Sequence, residues 1–150
     1  MTKLRALVMD TAEEIFAERN PGAAIFARDR AEGTVLLAVS PGRLVFKMTG
    51  TIPCDYFVEV LADARDAGLF TSDAFSALVD MTNFTGVIDW KVIPKISDVM
   101  PKGDSTNKNA YIVRNTMFTV LTKINAVIFP KTQHRTFSTE AEARAWLGWE

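Results

Sequence analysis

The stretch LVDMTNFTGVIDW, residues 78–90, gathers the most suggestive polar side chains of the chain: Asp80, Thr82, Thr85 and Asp89. Two carboxylates and two hydroxyls around a strand-to-helix connection can serve three kinds of chemistry. They can line an active-site loop, present a hydroxyl for phosphorylation, or orient the turn by side-chain to backbone hydrogen bonds. The last use is the usual one for Asp and Thr in such a place, and Asp80 and Thr82 fit it.

The residues behind this stretch read as a helix with an unusual distribution of apolar positions. Ile88, Val92, Ile96 and Val99 share one arc, and Trp90, Ile93 and Met100 share its neighbour. Lys91, Lys95 and Asp98 take the remainder. The combined apolar arc spans about 200°, whereas a core-facing helix needs roughly 100°. Part of it is therefore expected to meet something other than the sheet. The N-terminal helix or a partner subunit could cover it. Alternatively, Trp90, Ile93 and Met100 could line a groove for an apolar or lipid-like ligand, or touch a membrane edge, with Lys91 and Lys95 near head-group phosphates.

Other chemistry finds few residues. One histidine, His134, and one cysteine, Cys54, cannot build a typical metal site. A single cysteine also excludes an intramolecular disulfide. A Ser-His-Asp triad lacks its G-x-S-x-G elbow, and His134 reads as a surface residue. PKGDSTNK, residues 101–108, lacks the spacing of a phosphate-binding loop and reads as a solvated one. Lys123, Lys131, His134 and Arg135 form at most a modest basic patch without the aromatic interleaving of RNA-binding sheets. The net charge of −1 gives no field to attract nucleic acid. The expectation is a protein without catalytic residues, metal or cofactor.

The elements that position these residues follow from periodicity. Leu4, Val8, Thr11, Ala12 and Ile15 make one helical stripe over Thr2–Arg19, stopped by Asn20-Pro21-Gly22. Ala23–Arg28 is a weak β-type run and Thr34–Val39 a strong one. Pro41-Gly42 suits a type II turn, and Leu44, Phe46 and Met48 alternate along Arg43–Thr49, which predicts an antiparallel hairpin. After Pro53 the period becomes helical: Phe57, Val60, Leu61 and Ala64, with Gly68 past the end. Phe75–Met81 is apolar on both faces, as in a sheet covered on both sides. Pro94 must delay or kink the helix of Val87–Met100. A strand at Ala110–Val113, a helix from Asn115 or Thr116 through Ile124 and a strand at Ala126–Phe129 follow. Thr139 and Glu142 form a capping box that opens a last helix with Ala143, Trp146 and Leu147.

Alternation of strands with helices implies parallel pairing and right-handed crossovers. The fold expected is α/β, with a four- to six-stranded mixed sheet, a leading hairpin and helices packed on it. Residues 1–30 are expected as a helical extension and residues 31–150 as the domain proper. The N-terminus lacks the apolar run of a signal peptide, since Asp10, Glu13 and Glu14 interrupt it. No stretch approaches 18 apolar residues, so a cytoplasmic protein is expected. The apolar arc leads to the expectation of a homodimer.

The hairpin, the helix after Pro53, the strand ending LVDMTNFTG and the closing RTFSTEAEARAWL resemble the SpoIIAA-like branch of the STAS domains, the anti-sigma-factor antagonist fold. The tail carries the resemblance best: Arg135 and Phe137 in a basic strand, then Glu142, Ala143, Ala145, Trp146 and Leu147 in a capped helix. It covers residues 34–148 and implies a non-enzymatic regulatory or interaction domain. The branch is often grouped with lipid-binding modules of the SEC14 type. In phosphoregulated STAS domains, a Ser or Thr follows the second Asp at a helix N-terminus, where free N–H groups favour an anion. Here Asp80-Met81-Thr82 matches the first part of that pattern and Asp89 the second Asp, but Trp90 and Lys91 stand where the hydroxyl belongs. Thr82 and Thr85 remain as off-register hydroxyls.

Overall fold

A continuous apolar run over 35–39 and the alternating Leu44, Phe46 and Met48 build the first half of the sheet. The computed structural model describes residues 12–86, 91–101, 103, 105–114 and 131–149, the side chain of Ile93 excepted. Its strands are β1 (Ala24–Arg30), β2 (Gly33–Ser40), β3 (Arg43–Gly50), β4 (Ser76–Phe84), β5 (Asn107–Ile112) and β6 (Thr132–Phe137). Its helices are α1 (12–19), α2 (Asp55–Asp66), α3 (Val92–Val99) and α4 (Glu140–Leu147). The six strands lie in sequence order across one sheet. β1, β2 and β3 pair antiparallel, and β3, β4, β5 and β6 pair parallel. The expected mixed α/β sheet with its leading hairpin is thus present, with six strands among the described residues.

Gly42 makes the β2–β3 turn with φ 74°, a conformation that glycine adopts without penalty. Residues 24–30, expected within the N-terminal extension, form an edge strand paired to β2 along its length. The boundary drawn at residue 30 therefore falls inside a hairpin. Arg28 fastens this edge: its Nε donates to Glu59 at 3.0 Å and its Nη1 to Asp63 at 2.6 Å, both on α2. These bonds raise the guanidinium pKa, with the Asp63 bond the largest cause.

Both faces of the sheet are buried because neighbouring residues point to opposite sides. On one face Leu37, Phe46 and Val79 pack with Val60, Leu61 and Ala64 of α2, and Ile96 and Val99 of α3 join them. Phe46 stacks on Phe57 of α2 with ring centroids 4.0 Å apart. On the other face Leu78, Ala110 and Ile112 pack with Ala143, Trp146 and Leu147 of α4. Phe16 of α1 covers Leu36 and Ala38 on that same face. Full burial of a Val, Leu or Phe side chain here stabilises the fold by about 1.5–3 kcal/mol, and that of an alanine by less.

The helix ends follow local chemistry. Past α2, Gly68 takes φ 77°, and its N–H bonds Arg65 while the N–H of Leu69 bonds Ala64. That is the Schellman pattern, which satisfies two orphan carbonyls. Pro94 is the third residue of α3, where no partner four residues back is needed, so this helix starts late as expected. At α4, Thr139 accepts the Glu142 amide at 3.3 Å and donates to its carboxylate at 2.9 Å. The stretch expected as a solvated loop already contributes Asn107 and Lys108 to β5. Ahead of it Ser105 donates its amide and hydroxyl to the Asp73 carboxylate, at 2.7 and 2.8 Å. The helix expected through Ile124 and the strand expected at Ala126–Phe129 lie outside the described residues.

Candidate functional site

In an open α/β sheet the connections at the carboxyl ends of parallel strands are the usual place for function. Here β3 leaves at Gly50 and β4 at Phe84, and the Thr85 amide donates to the Gly50 carbonyl at 2.8 Å, tying the two exits together. Gly86 lies so close to the Phe84 ring that a Cβ there would meet it at 2.8 Å. A small residue is required at that step.

Asp80 stands on β4, next in register to Lys47 of β3 and Ile112 of β5. Its Oδ1 accepts the Thr82 amide at 3.0 Å and the Thr82 hydroxyl at 2.6 Å. The pairing of β3 with β4 slips at this place, between Lys47 and Thr49. An extra residue in a strand leaves an amide out of the ladder, and the Asp80 side chain takes up that of Thr82. Asp80 and Thr82 therefore do what Asp and Thr do in turns. Thr85 is exposed, and Asp89 lies outside the described residues. At the exit of β5, the Arg114 guanidinium donates to the side-chain Oδ1 of Asn83 at 3.3 Å, a link between strand exits that the sequence did not suggest.

On the opposite rim of this connection α3 begins. Lys91 occupies its N-cap position, with no side-chain cap, and is exposed. Lys95 reaches Asp55 at the start of α2, 3.5 Å away, with both side chains well exposed. Such a pair contributes little to stability. Val92 is buried, and Ile96, Val99 and Met100 are half-buried against the main core. Of the residues expected to line a groove, Met100 thus packs on the core, Trp90 lies outside the described residues, and Ile93 is described only by its backbone in α3.

His134, expected at the surface, is half-buried. Its Nδ1 lies 3.1 Å from the Tyr111 hydroxyl, and the two rings stack 6.0 Å apart. Tyr111 is buried, and desolvation pushes its phenol pKa well above the ordinary value. The hydroxyl keeps its proton at any physiological pH. The signal for this pair is strand register: β5 and β6 must be aligned before the two residues are seen as neighbours. Among the described residues no three His, Cys, Asp or Glu side chains cluster as metal ligands would, and no helix is long and apolar enough to cross a membrane.

No curated protein matches the sequence. Among solved structures, the chain is similar to an uncharacterized protein of the DUF3478 family from Shewanella loihica PV-4, which has a SpoIIAA-like fold. The two share 19% identity, with 84% of this chain and 94% of that chain covered, at a TM-score of 0.51. At that identity the likeness speaks for the fold. The family model SpoIIAA-like matches residues 43–148, which run from the first residue of β3 to the end of α4 and contain every parallel strand. With the six-stranded sheet and the capped C-terminal helix, this places the chain in the SpoIIAA-like family.

Proposed function

We propose that the chain is a non-enzymatic regulatory domain that docks a protein partner, in the first instance a second copy of itself, through the Asp80–Asp89 segment and α3. We further propose that it does so without the phosphorylated hydroxyl of regulated STAS domains. One observation carries this reading. The helix after β4 starts on Lys91, a cation without a hydroxyl, while the nearest well-placed hydroxyl, that of Thr82, donates to Asp80. A phosphate on Thr82 would break that bond and set a dianion beside a carboxylate, which is unfavourable. The alternative of an apolar ligand beside Trp90 has less support, because Met100 packs on the core.

Two measurements test the proposal together. Phosphopeptide mapping of the protein from its native host is expected to find Thr82 and Thr85 unmodified; stoichiometric phosphate on either overturns the proposal that no hydroxyl switch operates. Sedimentation equilibrium at micromolar concentration is expected to give twice the 16.6 kDa of one chain. It is expected to revert to a single chain in Ile93→Asp. A wild-type protein that stays at 16.6 kDa removes self-docking from the reading.

A further inference from the structure

Four cations over aromatic rings gather around α4. Arg43 lies 4.9 Å and Arg144 6.0 Å from the ring centroid of Trp149. Lys108 lies 5.1 Å from that of Trp146, and Arg135 5.4 Å from that of Phe137. Arg43, Lys108 and Arg135 alternate in phase with Val45, Ala110 and Phe137, so all three strands present them on the face that carries α4. Arg43 and Arg135 are exposed, and Lys108, Arg144, Trp146 and Trp149 are half-buried.

Part of this arrangement is structural. Lys108 donates to the Trp146 carbonyl at 3.0 Å near the C-terminus of α4, where a cation suits the helix dipole. Arg144 also pairs with Glu140 at 3.3 Å. Arg43 and Arg135 do neither. Among the described residues no carboxylate pairs with Arg43, Lys108 or Arg135. Among the described residues these three charges are thus met by rings and not by carboxylates, in a protein whose net charge is −1.

We propose that this face, the end of α4 with Arg43, Lys108, Arg135 and Trp149, is a docking surface for an anionic lipid membrane. Charge complementarity selects an anionic occupant. The indoles select among anions. Amphipathic rings flanked by cations settle at head-group level, where their apolar bodies and polar edges are both satisfied. A single-stranded nucleic acid needs open ring faces for its bases, and each indole here already has a cation over its ring. The surface lies across the sheet from α3, so it is independent of the docking proposed above.

Co-sedimentation of the full chain with phosphatidylcholine vesicles, with and without phosphatidylserine, tests the proposal. Binding is expected only to the mixed vesicles, falling as salt is raised. Each exposed arginine should contribute about five-fold, so Arg43→Ala with Arg135→Ala weakens binding about 25-fold. Arg43→Lys, which keeps the charge and the fold, retains most of it. Arg65→Ala, exposed on α2 on the other face, leaves it unchanged. The proposal is overturned if the wild-type chain ignores the mixed vesicles. It is equally overturned if the Arg65 variant loses binding while the Arg43 and Arg135 variant keeps it. Binding to a poly-glutamate peptide with no binding to vesicles reassigns the face to an acidic protein partner.

Discussion

Single residues in this fold are fixed by what lies within a few ångströms of them. Gly50 ends β3 with φ 73°, and a Cβ there would collide with the Glu32 carbonyl across the ladder. Gly50→Ala is therefore expected to destabilise by about 2–3 kcal/mol, from backbone strain together with the clash, read as a lower urea midpoint at unchanged slope. Asp73 illustrates a titrating case. Hydrogen bonds from the Ser105 amide and then its hydroxyl hold the Asp73 pKa below its ordinary 3.8. The folded state thus binds the proton more weakly than the unfolded chain. The stabilisation is complete above the unfolded pKa of about 3.9 and is lost as pH falls through the lower folded value. Asp73→Asn should make the acid limb of a stability-against-pH curve shallower below pH ~4. An unchanged limb would mean that the Ser105 contacts do not favour the carboxylate. None of these pairings was legible in the sequence, since Asp73 and Ser105 are far apart in the chain. The Asp80–Thr82 contact was legible, because Asp and Thr two apart make local bonds.

Whole elements were easier to read where a short-range rule defines them. The capping box of α4 needs only Thr139 and Glu142, and the end of α2 needs only Gly68. Thr139→Ala is expected to lower stability by about 1 kcal/mol, measured by urea unfolding. A loss below a few tenths would assign that helix end to its packing alone. β6 was harder. Its sequence TQHRTF has no apolar alternation, and only the likeness to a family flagged Arg135 and Phe137 as strand. β1 falls within the residues expected as an extension, and its sequence ends in Arg28-Asp29-Arg30. Charged residues are what an edge strand carries to discourage further pairing, and Arg28 also bridges to α2. Arg28→Ala should therefore loosen the edge, costing about 1 kcal/mol at low salt and less at high salt. Hydrogen exchange should quicken first in β1. Uniform quickening across the sheet would show that Arg28 holds the whole fold rather than its edge.

At the scale of the molecule, two apolar layers share one sheet. Neighbouring residues of the same strands serve both: Leu36 and Leu37 in β2, Leu78 and Val79 in β4, Ala110 and Tyr111 in β5. The sequence announced this two-sided burial in Phe75–Met81, where apolar residues fall on both faces. A layer cannot be removed without exposing the reverse side of residues that hold the other, so unfolding should be a single cooperative transition. The test uses the separation of the layers. Leu61 of α2 is fully buried on one face, whereas Trp146 and Trp149 belong to the other. Leu61→Ala is expected to destabilise by about 2–5 kcal/mol. With Trp90 replaced by Phe, indole fluorescence reports the α4 layer and far-ultraviolet circular dichroism the whole. In Leu61→Ala both signals should shift to the same lower urea midpoint, although no tryptophan that reports lies on the side of the mutation. If the fluorescence transition stays in place while the dichroism moves, the α4 layer unfolds on its own, and the shared strands do not couple the two faces.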